Sequence, residues 1–235
     1  MVKVAESRPS LNRARILHAA LAFADTRGVG SLTMRRLGDE LGFEAMSLYH
    51  YVSSKSDLLD GILDMVLDET EPPATDLTWA PAVRASALSV NQALRRHPWA
   101  CTLLTTHAGL RPARLRYMDS LLGRLREAGF PADSTYHAYH VLDGFIFGFS
   151  LWQTTHTYTD AEVSHMAAVF ETAITADSYP HLLEHGTQHF EPGPVHAVDA
   201  FEVGLDLILD GLTKNLKAAP RTPPTRLTGS FRSRP

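Results

Sequence analysis

Arg35 offers a guanidinium whose planar fork of donors suits a pair of adjacent acceptors, and the residues around it carry matching chemistry. It lies in the run Thr33–Lys55, T-M-R-R-L-G-D-E-L-G-F-E-A-M-S-L-Y-H-Y-V-S-S-K. Thr33 is an N-cap type, which turns a hydroxyl and the first backbone N–H groups of a helix toward an anion. Tyr49 and Lys55 suit phosphate oxygens, contacts that set register without reading sequence. Ala45 and Met46 offer the apolar surface that a thymine methyl accepts, and Ser47 donates to or accepts from any base.

These residues need elements to hold them. Leu37 and Leu41 are four apart and share a helical face, and Gly42 follows where a left-handed residue ends a helix most cheaply. Ala45 to Tyr51 makes about two turns with Leu48 and Val52 as its inward pair. Ala45, Met46, Ser47, Tyr49, His50 and Tyr51 are then outward or half outward, a surface too aromatic and uncharged to be needed for solubility. Two short helices joined by a glycine turn predict a helix-turn-helix whose second helix enters a DNA major groove. Arg35 is the cation placed to reach guanine O6 and N7, with Arg36 as its competitor. The plainer alternatives are an ordinary cap at Thr33, a solvated arginine and unremarkable surface.

Composition permits this reading without demanding it. The chain has 235 residues, 44% hydrophobic and 20% charged, with a net charge of −4. Residues 1–60 hold eight Lys/Arg against seven acids, or +1, which leaves −5 for the remainder. Met1–Ser10 has charges and a proline but no apolar run, so no signal peptide is expected. The longest apolar run, Gly144–Trp152, falls far short of the ~20 residues that span a bilayer. The single cysteine, Cys101, excludes an internal disulfide and any CxxC motif, so a reducing cytoplasmic home is expected. There is no nucleophile elbow, P-loop or GxGxxG, and an enzyme is not expected. His181, His185 and His189 are spaced as a helical metal site would be, but Gly186 interrupts them and Glu184 is the only nearby carboxylate. No metal or cofactor is predicted.

In order along the chain, residues 1–9 are expected to be disordered, and 10–53 to form three helices with Ser10 capping the first, Leu11 to Arg27. Ser54 and Asp57 predict a capping box opening a linking helix over 54–70. Residues 77–217 show only helical periodicity: Trp79–His97, Trp99–His107, Pro112–Gly129, a long helix from Pro131 to about His156, Asp160 to about Ala176, then an irregular histidine-rich stretch and a last helix Val195–Leu216. Residues 218–235 hold four prolines, four arginines and no acids, and disorder is expected. The chain is thus predicted all-α, a helix-turn-helix domain followed by a helical ligand-binding and dimerisation domain. On the long helix one line carries His137, Val141, Gly144, Gly148 and Leu151, whose glycines admit a second backbone. With Phe201, Leu205, Ile208 and Leu212 of the last helix it is the expected homodimer contact. The adjacent line carries Leu142, Phe145, Phe149, Trp152 and His156. Trp99, Leu103, Leu104, His107, Tyr117, Leu121, His140, Phe145, Phe149, Trp152 and His156 are candidates to line a cavity for a hydrophobic or aromatic effector; the alternative for each is plain core.

The run from Leu32 to Leu59, with Gly28 before it and Ile16–Leu21 in the first helix, resembles the DNA-binding signature of the tetracycline-repressor family of bacterial regulators. Trp79, Arg96–Trp99 and Leu142–Gly148 are similar to the family's ligand domain. The resemblance implies an all-helical homodimer presenting two heads to a palindromic double-stranded operator, released when a small molecule binds. By the same resemblance Thr33 and Arg35 contact backbone and base edge, and Ala45, Met46 and Ser47 face the bases. Tyr49, His50, Tyr51 and Lys55 face phosphates. It also raises His107 or His140 as a holder of a metal-chelated drug. Val52 stands where the commonest family pattern has Phe, and Ala45-Met46 depart from the tetracycline repressor's polar pair. The competing reading is a DNA-binding regulator that is constitutive or answers to a protein.

Overall fold

The computed structural model describes residues 10–106, 111–156, 158–190 and 199–218, and these are helical, with no strand among them. Residues 1–9 and 219–235, expected to be disordered, His107, expected at the cavity, and the expected start of the last helix at Val195 lie outside the described residues. Helix α1 spans Arg13–Arg27 and starts two residues later than expected. The Asn12 side chain, not Ser10, caps it by accepting from the Arg15 N–H at 2.8 Å. Ile16, Ala20, Phe23 and Ala24 are its buried stripe. A 3₁₀ turn at Val29–Ser31 leads to α2, Met34–Leu41. Thr33 Oγ1 accepts from the Arg36 N–H at 3.2 Å, and Gly42 closes the helix at φ 74°, ψ 32°.

Helix α3 is regular only over Ala45–Leu48, shorter than the expected Ala45–Tyr51. Tyr51 N–H bonds to the Leu48 carbonyl in a tight turn, and the Tyr51 carbonyl accepts from Arg13 at 3.0 Å instead of continuing a ladder. Helix α4, Lys55–Asp68, is opened by Ser54 Oγ, which accepts from the Asp57 N–H at 3.0 Å. The return bond of the expected capping box lands one residue earlier, on the Ser53 N–H at 2.7 Å. The Asp57 carboxylate also receives the Arg13 guanidinium at 2.6 and 3.1 Å, tying the start of α1 to the start of α4.

That arrangement predicts an acid-sensitive contact. The Arg13 guanidinium, with help from Ser53, holds the Asp57 carboxyl at about 2, below its ordinary 3.8. Because the folded value is depressed, its contribution is present above pH 4 and lost as pH falls toward 2. With the pair partly exposed, it is worth about 1–2 kcal/mol. Asp57→Asn is expected to flatten the fall in melting temperature between pH 4 and pH 2, as read by circular dichroism.

Leu32, Leu37, Leu48 and Val52 join the α1 stripe and Leu58 and Ile62 of α4 in one core. At Gly61 a Cβ would stand 2.5 Å from Leu17 Cδ2, so α1 and α4 are in close contact there. A second core is built from α5 (Trp79–Arg96), α6 (Pro98–Thr106), α7 (Pro112–Glu127), α8 (Ala132–Thr155) and α11 (Ala200–Ala218), with Leu63 and Val66 of α4. Buried Asn91 of α5 bonds Ser150 and Gln153 of α8, each at 2.8 Å. Helices α9 (Asp160–Ala173) and α10 (Pro180–Phe190) pack against each other, with the Phe170 and Phe190 rings 5.6 Å apart. Helix α10 corrects the irregular stretch expected there. Gly186 lies inside this helix and is needed there because a Cβ would stand 1.9 Å from the Phe170 ring of α9. No helix among the described residues is long and apolar enough to cross a membrane.

Candidate nucleic-acid interface and the cavity behind it

The start of α2 and the exposed side of α3 form one surface. Arg35 is exposed and has no partner among the described residues, whereas Arg36 donates to the Ser31 carbonyl at 3.0 Å and holds the preceding turn. Bonding thus distinguishes the two arginines: Arg36 is tied to the turn, and Arg35 is exposed. Met46 is 70% exposed, and Tyr49 and Tyr51 are 43% and 42% exposed. His50 and Lys55 are exposed, Ala45 and Ser47 half-buried. The two helices are held together by an approach that sequence reasoning missed. A Cβ on Gly38 would lie 2.7 Å from the Phe43 carbonyl oxygen and 3.2 Å from the Ala45 nitrogen. A glycine inside a helix costs about 1 kcal/mol relative to alanine, and that cost was the available signal.

Behind this surface the two cores meet at a polar junction. His97, at the end of α5, places Nδ1 2.7 Å from Asp25 Oδ1 of α1 and Nε2 3.1 Å from Glu69 Oε1 just past α4. Trp99 Nε1 donates to the same Asp25 oxygen at 2.7 Å, and Arg96 donates to Glu69 at 2.8 Å. Further along α4, the buried Arg111 guanidinium donates to Asp60 at 2.8 Å, and burial pushes the Asp64 carboxyl up. Helix α4 is thus fastened by charge to α5 and to the start of α7. Trp99 belongs to this junction and not to a cavity wall, a correction to its expected role.

The remaining cavity candidates do not converge. Tyr117 and Leu121 are core: the Tyr117 ring meets Phe147 edge-on at 6.0 Å, and burial drives its hydroxyl well above the ordinary range. His140 is exposed, its Nδ1 donating to the Tyr136 carbonyl at 2.8 Å, so it faces solvent. Leu103 and Leu104 are half-buried against the core. Phe145 and Phe149 pack on Phe201 at 5.2 and 5.9 Å. Only Trp152 and His156 line a sizeable cavity, of about 610 Å³, between the end of α8 and helices α9 and α10. Its other walls include Arg95, Tyr158, Met166, His189 and Phe190. His189 and Phe190 were not expected in a cavity wall because the α10 helix that carries them was read as irregular chain. No group of three or more His, Cys, Asp or Glu among the described residues is arranged to hold a metal.

The expected dimer contact divides. His137, Val141, Gly144 and Gly148 all face outward, with open space where a glycine Cβ would stand. Leu151, Ile208 and Leu212 are half-buried. His137, Val141 and Leu212 share a groove of about 300 Å³ with Phe130, Pro131 and Leu216. Phe201 and Leu205 are completely buried in their own subunit and cannot touch a second chain. The outward residues of α11 are instead Val203 and Leu207, 46% and 70% exposed.

Comparison with known proteins agrees with this architecture. The family described as bacterial regulatory proteins, tetR family, matches residues 16–62, and the tetracyclin repressor-like C-terminal domain matches residues 71–216. The HTH-type transcriptional repressor DrrR1 of Streptomyces coeruleorubidus is 33% identical over 215 residues, 87% of this chain and 78% of that protein. The class D tetracycline repressor of Escherichia coli is 28% identical over 213 residues, 88% of this chain and 92% of that one. The crystal structure of Streptomyces coelicolor ActR in complex with actinorhodin superposes with a TM-score of 0.73 at 25% identity, covering 88% of this chain and 99% of ActR. With a helix-turn-helix head matched over residues 16–62 and a helical domain matched over residues 71–216, the chain belongs to the TetR family of bacterial transcriptional regulators.

Proposed function

We propose that this regulator is a homodimeric repressor that grips a palindromic double-stranded operator and lets go when a small hydrophobic molecule binds the C-terminal domain. The observation carrying the DNA side is the bonding contrast between Arg36, tied to Ser31, and Arg35, exposed beside Ala45, Met46 and Ser47. Thr33, Tyr49, His50, Tyr51 and Lys55 surround that surface and contact phosphates. Two copies join through the outward faces of α8 and α11, so the half-sites lie about one helical turn, ~34–36 Å, apart on one face of the duplex.

The release mechanism follows from how α4 is held. Its first turn is bonded to the head through Asp57 and Arg13, and its far end to the effector domain through Glu69, Arg96 and His97. Any displacement of α5 and α6 by a ligand therefore shifts α4 and changes the separation of the heads. Linkage requires that a ligand which weakens operator binding binds less tightly to the DNA-bound protein, by the same factor. The cavity at the end of α8 favours a small-molecule effector over a constitutive or protein-responsive regulator.

Selection of random duplex DNA with the purified protein, followed by sequencing, tests the DNA reading. An inverted repeat with half-sites one turn apart is expected, and enrichment of no repeat overturns it. In the same experiment Arg35→Ala is expected to cost ~1–3 kcal/mol at the operator and to relax preference at one base pair in each half-site. Unaltered preference would remove Arg35 from the base-reading set.

A further inference from the structure

Aromatic rings converge on the cavity at the end of α8. We infer that it is the effector site and that it takes a planar aromatic molecule bearing a phenolic hydroxyl. This rests on the reading of the chain as a ligand-responsive regulator. A line of rings leads from the core to the cavity: Phe201 to Phe149 at 5.9 Å, Phe149 to Trp152 at 5.3 Å, Trp152 to His156 at 4.6 Å. The last pair is nearly parallel, at 27°, and Trp152 is 52% exposed, so the line ends in an uncovered aromatic face. Met166 and Phe190 supply apolar surface on the other side, with Phe190 braced edge-on against Phe170 at 5.6 Å. A slot walled by rings favours a flat aromatic body, which stacks in offset or edge-on geometry. A volume of about 610 Å³ is within the ~300–1,000 Å³ of small-molecule sites.

Hydrogen bonding sets the polar requirement. His156 Nδ1 lies 2.8 Å from the Trp152 carbonyl, which can only accept, so Nδ1 carries the hydrogen. In the neutral ring Nε2 is then a bare acceptor, and its natural partner is a hydroxyl donor. Among the other polar groups around the slot, Arg95 pairs with Asp199 at 2.9 Å, Gln153 accepts from Asn91 at 2.8 Å and Thr154 donates to the Leu151 carbonyl at 2.8 Å, while Tyr158 and His189 complete the lining. His156 is the polar group stacked on the Trp152 indole, so its Nε2 is the acceptor nearest the aromatic face.

Isothermal titration of the full-length protein with 6-hydroxynaphthalene-2-sulfonate and naphthalene-2-sulfonate isolates that hydroxyl, since the two probes differ in nothing else. The hydroxylated probe is expected to bind roughly fivefold to tenfold more tightly, the worth of one hydrogen bond. His156→Phe keeps the ring stack and is expected to abolish the preference while retaining binding. Trp152→Ala is expected to weaken both probes. Equal affinity for the two probes, or a preference that survives His156→Phe, overturns the proposal. Operator affinity measured in the same titrations separates the site from its regulatory role. Release of DNA by the hydroxylated probe in wild type and not in Trp152→Ala supports both. Binding at the cavity with no change in operator affinity keeps the ligand chemistry and overturns the assignment as effector site. Release that is undiminished in Trp152→Ala keeps the ligand-responsive reading and overturns the site.

Discussion

Leu207→Asp is expected to convert the dimer to a monomer and to reduce affinity for a two-half-site operator by roughly 10²- to 10⁴-fold, the range over which joining two binding modules raises avidity. Leu207 is 70% exposed in the single chain and stands one turn from Val203, itself 46% exposed, on the outward side of α11. The neighbouring α8 adds Val141, 50% exposed, and two glycines with open space above them. Apolar residues that line up on two packed helices make a patch that a monomer has no reason to display, and close approach at the glycines lets a second pair of helices cover it. A carboxylate at position 207 would be desolvated without a partner on the two-fold, which costs several kcal/mol. The same change at Leu115, 43% exposed on α7, serves as the control and is expected to leave the dimer intact. Sedimentation velocity distinguishes the cases. A Leu207→Asp protein that stays dimeric would place the subunit contact elsewhere on the surface.

This prediction also marks the boundary of what could be read from the sequence. Period 3.6 put Val141, Gly144 and Gly148 on one face correctly, because α8 is long and its two faces differ sharply in side-chain size. It failed on α11, which is apolar nearly all round. Phe201 and Leu207 look alike as letters, and only the stacking of Phe201 on Phe145 at 5.2 Å decides which is core. The head was legible down to single caps at Thr33, Gly42 and Ser54, since turns and caps are local in the chain. The junction was not. Asp25 and His97 are 72 residues apart, and no local pattern announces that α1 ends beside the close of α5. The cavity fared worst, because it depends on α9 and α10, whose existence as a packed pair hangs on Phe170 lying over Gly186.

Gly38→Val is expected to abolish operator binding while leaving the dimer assembled. The constraint cannot be relieved by a rotamer change: the added Cβ, whose place the backbone fixes, would meet the Phe43 carbonyl oxygen at 2.7 Å. The Phe43 N–H meanwhile donates to the Gly38 carbonyl at 2.9 Å, so the turn between α2 and α3 cannot open without breaking that bond. Overpacking of this kind costs roughly 1–3 kcal/mol, and the small head core has little elsewhere to absorb it. Its effect on function is larger than its effect on stability. Arg35 sits on α2 and Ala45, Met46 and Ser47 on α3, so under the proposed DNA reading a changed angle between the helices withdraws one set from the groove when the other enters. Each bidentate base contact is worth ~1–3 kcal/mol, and two subunits lose theirs together, so a fall beyond roughly 100-fold is expected. Gly123→Ala, where a Cβ meets nothing within 4 Å, is the matched control and is expected to bind as wild type. Fluorescence anisotropy on the selected operator reads the outcome, and sedimentation of the same samples shows whether the protein is still a dimer. Wild-type affinity in Gly38→Val would mean that the α2–α3 angle does not govern how the head enters the groove.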